Sequence, residues 1–230
     1  MTTCSKCRIF SFLFAAFVLV EILMIGLIDK PLSIWLRGME SAYPSFIDIF
    51  RFYTVLGKGP LYIWPLGIGT GLSLLLLYAR RDWPKKTREL LQISSLYFGY
   101  FFICTGGTRL ILNGIKYLAG RARPEILESE GFYGFRPFND AHAFNSFPSG
   151  HSATAFSLAF ALIALFPRAR PWALLAGALI ALSRIMINAH YLSDVVAGAF
   201  LAWIAVALVT KQFYRSGLLP HPPAFPMISR

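Results

Sequence analysis

Charge is scarce in this chain. Only 14% of its 230 residues are Asp, Glu, Lys or Arg, while 56% are hydrophobic. A soluble domain carries charge on about a quarter of its residues. Mean hydropathy is +0.57, and the apolar residues fall in long runs rather than short alternating ones. That excludes an ordinary soluble globule and points to membrane spans. Cysteine is equally sparse. Three cysteines cannot build a disulfide framework. The CxxC of Cys4 and Cys7 lacks the second ligand pair that a zinc site needs, and Cys104 sits inside an apolar run as a small packing residue. Acidic residues are outnumbered, 11 against 22 basic, for a net charge of +11. In a chain of spans this excess marks cytoplasmic loops and contact with anionic lipid. No basic stripe lies on a soluble domain, so nucleic acid is not an expected partner. There is no internal repeat.

A spanning helix needs about 20 mostly apolar residues. Six segments approach that length, at approximately 9–28, 60–79, 90–112, 152–166, 171–188 and 194–210. The fourth is short and is expected to begin at Pro148. The first lacks a clean small-residue cleavage site, and its apolar run is too long for a signal core. The expected fold class is therefore all-α: a polytopic six-helix membrane bundle, one domain over residues 1–215. A flexible tail follows over 216–230, containing Pro220, His221, Pro222 and Pro223.

Orientation follows from Lys and Arg. Lys6 and Arg8, the Arg80–Arg88 loop, Arg168 with Arg170, and Lys211 with Arg215 all fall on one side of six spans. That side is predicted to be the cytoplasm, with both termini. The loops at about 29–59 and 113–151 and the junction near 188–194 then face outward. Within the first of these, Phe46, Ile47, Ile49, Phe50, Tyr53 and Val55 alternate with Asp48, Arg51 and Lys58, which predicts an amphipathic helix lying in the interface.

Three clusters on the outer side carry chemistry. Lys116, Arg123 and Arg184 supply three cations. Arg offers a planar fork and Lys a mobile point charge, and together they suit the oxygens of a phosphoryl group. Snorkelling at span ends is the bland alternative for any one of them. Ser149, Gly150 and His151 precede an apolar helix, whose free N–H groups bind phosphate oxygens where glycine permits close approach. The Ser149 hydroxyl can add a bond, and His151 can protonate a leaving oxygen. An ordinary helix cap explains that tetrapeptide taken alone. His190 and Asp194, at i and i+4 of a helix, share a face. A carboxylate on one imidazole nitrogen leaves the other as a nucleophile. Glu21 is a lone acid within the first span. Arg109 lies two turns before Lys116 and can add to the anion field. His142, Phe144 and Phe147 precede Pro148, where the aromatics either line a headgroup entrance or anchor at the interface.

Read together, Lys116 to Arg123-Pro124, Pro148-Ser149-Gly150-His151, and Ser183-Arg184 to His190 and Asp194 resemble the signature KxxxxxxRP, PSGH, SRxxxxxHxxxD. That is the signature of the type 2 phosphatidic acid phosphatase superfamily, the lipid phosphate phosphatases. All three blocks match, in order, over residues 116–194. The resemblance implies that His190 is the nucleophile forming a phosphohistidine and that Asp194 orients it. His151 would be the general acid and, afterwards, the base that activates water. Lys116, Arg123, Ser149, Gly150 and Arg184 would bind phosphate. It implies no metal and no cofactor.

The expected partners are the bilayer and a phosphorylated membrane lipid, at the periplasmic face of a bacterial inner membrane. Lipid A 1-phosphate stands first among substrates, because the loop between Pro124 and Pro148 has room for a large sugar headgroup. Undecaprenyl diphosphate and phosphatidylglycerophosphate follow. A lipid-linked phosphotransferase would share the first chemical step. A non-catalytic lipid transporter or scaffold would have no need of intact His151, His190 and Asp194. No sequence feature assigns an oligomeric state.

Overall fold

A computed structural model describes residues 3–219. The expected tail from residue 220 onward and the side chains of Cys4 and Cys7 lie outside the described residues. Helices follow one another as α1 (Thr3–Leu23), α2 (Asp29–Ala42), α3 (Pro44–Tyr53), α4 (Pro60–Ala79), α5 (Lys85–Ala119), α6 (Pro124–Glu130), α7 (Gly150–Leu165), α8 (Arg170–Met186) and α9 (Leu192–Arg215). Short 3₁₀ turns at Thr54–Gly57, His142–Phe144 and Pro167–Ala169 join them.

The chain is an all-helical, multi-pass membrane protein. Five stretches are long and apolar enough to cross a bilayer: Ser11–Ala42, Pro44–Ala79, Lys85–Ala119, Pro167–Met186 and Leu192–Arg215. Their large side chains point outward, among them Phe12, Trp64, Ile68, Trp172 and Leu208. That surface suits hydrocarbon rather than water. The sixth expected span, α7, has 16 residues, or about 24 Å at the α-helical rise. It starts at Gly150 rather than Pro148. It is the helix the others enclose, packing against α5, α8 and α9.

One expectation changes at the N-terminal end. Residues 29–42 are helix, not outer loop, because α1 runs through a π-helical turn, Met24–Ile28, straight into α2. The amphipathic segment is helical over Pro44–Tyr53 and packs against α8.

Small side chains set the helix spacing. Ala153, Ala155, Ala159 and Ala161 of α7 and Ala197, Ala202 and Ala205 of α9 are buried, which lets the backbones approach as membrane helices require. Gly198 is the tightest point. A Cβ there would lie 2.5 Å from the Ser149 carbonyl oxygen, so only glycine brings the start of α7 against α9. Toward the other end Tyr100, Cys104, Ala161, Val206 and Leu219 form a buried cluster, with the Tyr100 hydroxyl 2.8 Å from Thr210 Oγ1. Cys104 is indeed a packing residue there.

Candidate active site

The C-terminal ends of α5 and α8 and the N-terminal ends of α7 and α9 meet at one end of the bundle. Between them is a cavity of about 460 Å³. Lys116, Arg123, Gly150, His151, Arg184 and His190 all line it, although they come from three separate blocks of sequence. Arg109, Asn113, His142 and Asn145 line it too.

Each cation is placed by local structure. Gly120 ends α5 with φ +58, and a Cβ on it would sit 1.7 Å from the Arg136 carbonyl oxygen. Only glycine fits this left-handed cap. The chain turns there, one helical turn after Lys116, and Arg121 and Arg123 follow. Lys116 Nζ donates to the Asn145 carbonyl. Arg123 donates to the carbonyls of His142 at 2.9 Å and Ala189 at 3.2 Å. Arg184 Nη1 donates to Thr54 Oγ1 at 2.6 Å, while its buried Nε has no partner among the described residues. None of the three is ion-paired there; the buried salt bridges belong to other residues. A cavity with this much unpaired positive charge is built for an anion.

His190 and Asp194 meet by a route other than the expected helical face. His190 lies in the turn before α9, and Asp194 is the third residue of that helix. The Asp194 carboxylate folds back over the helix start. Its Oδ2 accepts from the Tyr191 backbone N–H at 2.9 Å and from Ser146 Oγ at 2.5 Å. His190 Nδ1 lies 3.6 Å from the same oxygen and 3.4 Å from Ser146 Oγ. With Nδ1 on that side, Nε2 is the nitrogen left for chemistry in the cavity.

Ser149 is placed differently from the rest of its block. It is fully buried, its Oγ lies 3.5 Å from the Ser152 N–H as the cap of α7, and its own N–H donates to the Asp194 carbonyl at 2.8 Å. It supports the loop and does not line the cavity. Phe144 packs with Ala122 and Ile126 in a small core of the loop itself, so it neither lines an entrance nor anchors in lipid.

A buried network behind Asp194 was not foreseen. Arg121 is 1% exposed. Its Nη1 donates to Asp194 Oδ1 and to Ser193 Oγ, both at 2.6 Å. Its Nη2 donates to Asp29 Oδ2 at 2.8 Å and to the Tyr133 hydroxyl at 3.0 Å. Asp29 Oδ1 accepts from the Ser193 N–H at 3.1 Å, and the Ser193 hydroxyl donates to Oδ2. Burial works against the Arg121 charge, and Asp194 and Asp29 more than offset it, so its proton is held more tightly than in a free guanidinium. Glu21 is buried within electrostatic reach of this group, with both carboxylate oxygens unpartnered among the described residues.

Burial holds the His190 imidazolium well below the ordinary histidine range; Asp194 pulls upward, and Arg123 and Lys116 push further down. The ring is therefore neutral, with a free lone pair, at pH 7. This sets a sign for stability. An unfolded histidine takes a proton as pH falls through about 6.5, and the folded one resists. Stability is full above that pH and is lost below it, by up to about 1.4 kcal/mol per pH unit. Thermal unfolding in detergent from pH 7.5 to 5 should show Tm falling on the acid side, and His190→Gln should flatten that fall.

Comparisons with known proteins identify the family. Residues 95–218 match the family profile described as the PAP2 superfamily, more than half of the chain. A curated relative in Rhizobium johnstonii, named lipid A 1-phosphatase, is 43% identical over 136 residues, 57% of this chain and 54% of that protein. One of the same name in Rhizobium etli is 41% identical, over 57% of each. The chain thus spans little more than half the length of the curated relatives it matches. Two crystal structures share the fold. The first transmembrane PAP2-type phosphatidylglycerolphosphate phosphatase from Bacillus subtilis has TM-score 0.57 and 23% identity, covering 90% of this chain and 96% of that one. LpxE of Aquifex aeolicus has TM-score 0.50 and 21% identity, covering 77% and 93%. The family profile covers more than half of the chain, and the chain belongs to the PAP2 superfamily.

Proposed function

We propose that this protein hydrolyses a phosphate ester of an envelope lipid, the 1-phosphate of lipid A, through a covalent phosphohistidine. The observation that carries this reading is the convergence of Lys116, Arg123 and Arg184, none of them ion-paired among the described residues, on one cavity beside the buried, neutral His190. The names of the relatives that match at 41–43% identity support the headgroup.

His190 Nε2 attacks phosphorus. The ester oxygen leaves opposite it and takes a proton from His151. The three cations and the Gly150 N–H at the start of α7 hold the non-bridging oxygens, where charge develops in the transition state. Water then attacks the phosphohistidine, with His151 accepting its proton, and orthophosphate is released. Asp194 fixes the ring and stabilises its charge. Residues 1–215 act as one unit, since Asp29 of α2 holds the arginine that holds Asp194. The charge bias of the loops supports a periplasmic site, cytoplasmic termini and an inner-membrane location.

The test is a phosphate-release panel over purified lipids in mixed micelles. Lipid A 1-phosphate should give the highest kcat/KM among the monophosphates. Transfer to another lipid without free phosphate would sink the hydrolase reading. EDTA should leave turnover within about twofold, because side-chain cations supply the charge stabilisation; strict dependence on an added metal would refute that account.

A further inference from the structure

Asn188 lines the catalytic cavity together with Arg184 and His190. It stands at one of the open positions of SRxxxxxHxxxD, two residues before the histidine. Its backbone lies in the left-handed region, at φ +48. Asparagine tolerates that region better than most side chains do, so a wholly structural role is the rival reading.

The segment around Asn188 is fixed. Its N–H donates to the Ile185 carbonyl at 2.8 Å, and the N–H groups of Ala189 and His190 donate to the Arg184 carbonyl at 3.1 and 3.3 Å. The Ala189 carbonyl accepts from Arg123 at 3.2 Å. The side chain is fixed from α2. Ser33 is 5% exposed, and its hydroxyl donates to Asn188 Oδ1 at 2.8 Å. That bond orients the amide. It holds the oxygen against α2 and leaves Nδ2, with its two N–H donors, for the cavity. Nδ2 has no hydrogen-bond partner among the described residues. The opposite orientation would turn an acceptor oxygen toward a bound anion, and the two would repel.

We propose that Asn188 is a further catalytic residue, whose amide donates a hydrogen bond to a non-bridging oxygen of the transferring phosphoryl group. This rests on the phosphohistidine reading above. Asn188 gives up no proton and forms no covalent bond. It holds one oxygen while phosphorus passes from the ester oxygen to His190 Nε2, and again while phosphorus passes from Nε2 to water. In such a transfer, charge spreads over the three equatorial oxygens. Lys116, Arg123 and Arg184 supply positive charge to them, and Asn188 supplies direction. A donor held by Ser33 and by its own backbone, two residues from the nucleophile, needs no reorganisation as that charge develops.

The test uses the full chain in detergent with the lipid that gives the highest kcat/KM in the phosphate-release panel. Asn188→Gly keeps the left-handed turn, which glycine adopts freely, and removes the amide. It should lower kcat about 10²-fold, the lower end for loss of one preorganised donor, with KM and Tm little changed. Asn188→Asp has the same shape but a charge that repels phosphate, and it should lower kcat at least as far. Ser33→Ala leaves the amide in place and free to turn. It should lower kcat about 5-fold in the wild-type background and not at all on top of Asn188→Gly. Orthovanadate, which adopts the five-coordinate geometry of the transfer, gives a readout apart from turnover. Asn188→Gly should weaken its inhibition at least about 10-fold and inhibition by orthophosphate less than about 3-fold, since the donor serves the transition state above the ground state. Should Asn188→Gly lose its fold, the same comparison of the two anions in Ser33→Ala decides, with the same sign. Turnover of Asn188→Gly within about 3-fold of wild type, or equal weakening of the two anions, would overturn the assignment and leave the proposed function standing. A wild-type protein that releases phosphate from no lipid would instead bring down the proposed function, and this role of Asn188 with it.

Discussion

Replacing His190 with alanine should reduce phosphate release by about 10⁴-fold or more, the loss expected when a covalent nucleophile is removed from a site whose other groups act only through it. The cations and the helix start would still bind phosphate, so the KM for lipid should change far less than kcat. The ring is nearly fully buried and its removal costs about 1–3 kcal/mol of packing, a cost that His190→Gln reduces. Quenched reactions with labelled substrate give a second readout. Wild-type protein should carry an alkali-stable, acid-labile phosphate, and the His190 variants none. His151→Gln should retain more label than wild type, because slowing the attack of water lets the intermediate accumulate. Turnover near wild type in either His190 variant would refute the mechanism.

The second large effect concerns folding. Arg121 bridges two fully buried carboxylates, and each terminal nitrogen of its guanidinium serves one of them. Arg121→Leu leaves Asp29 and Asp194 facing each other's field without a counter-ion, and breaking a buried pair in this way costs about 3–5 kcal/mol. Tm in detergent should fall by many degrees, and activity should fall with it as Asp194 loses its anchor. Arg121→Lys should recover little, because one ammonium cannot span two carboxylates in a fixed fork. Adding Asp29→Asn to Arg121→Leu should restore part of the loss, since one uncompensated charge disappears, and the two changes should be clearly non-additive. A Tm for Arg121→Leu within a degree or two of wild type would show that the network contributes nothing to stability.

The sequence determined, by itself, whatever is carried by periodicity or by residue type at fixed spacing. Long apolar runs identified an all-helical membrane protein, because hydrocarbon admits only segments that satisfy their own backbone. The residues that line the cavity were legible because cations, histidines and a glycine-led helix start are chemically conspicuous beside apolar runs. What escaped depended on contacts between residues far apart in the chain. Arg121 stands between Lys116 and Arg123, yet only the turn at Gly120 aims it inward. Asp29 looked like loop because an acid after an apolar run reads as a boundary, and nothing local announces a π-turn that carries the helix on. Ser146 gave no signal at all. His190 and Asp194 were paired correctly through the wrong geometry, since an i, i+4 spacing fits a helical face and also a carboxylate folded back over a helix start. Tertiary structure alone decided that Ser149 supports the loop while Arg109 faces the cavity. Burial and charge neutralisation are properties of the assembled bundle, and a linear pattern records neither.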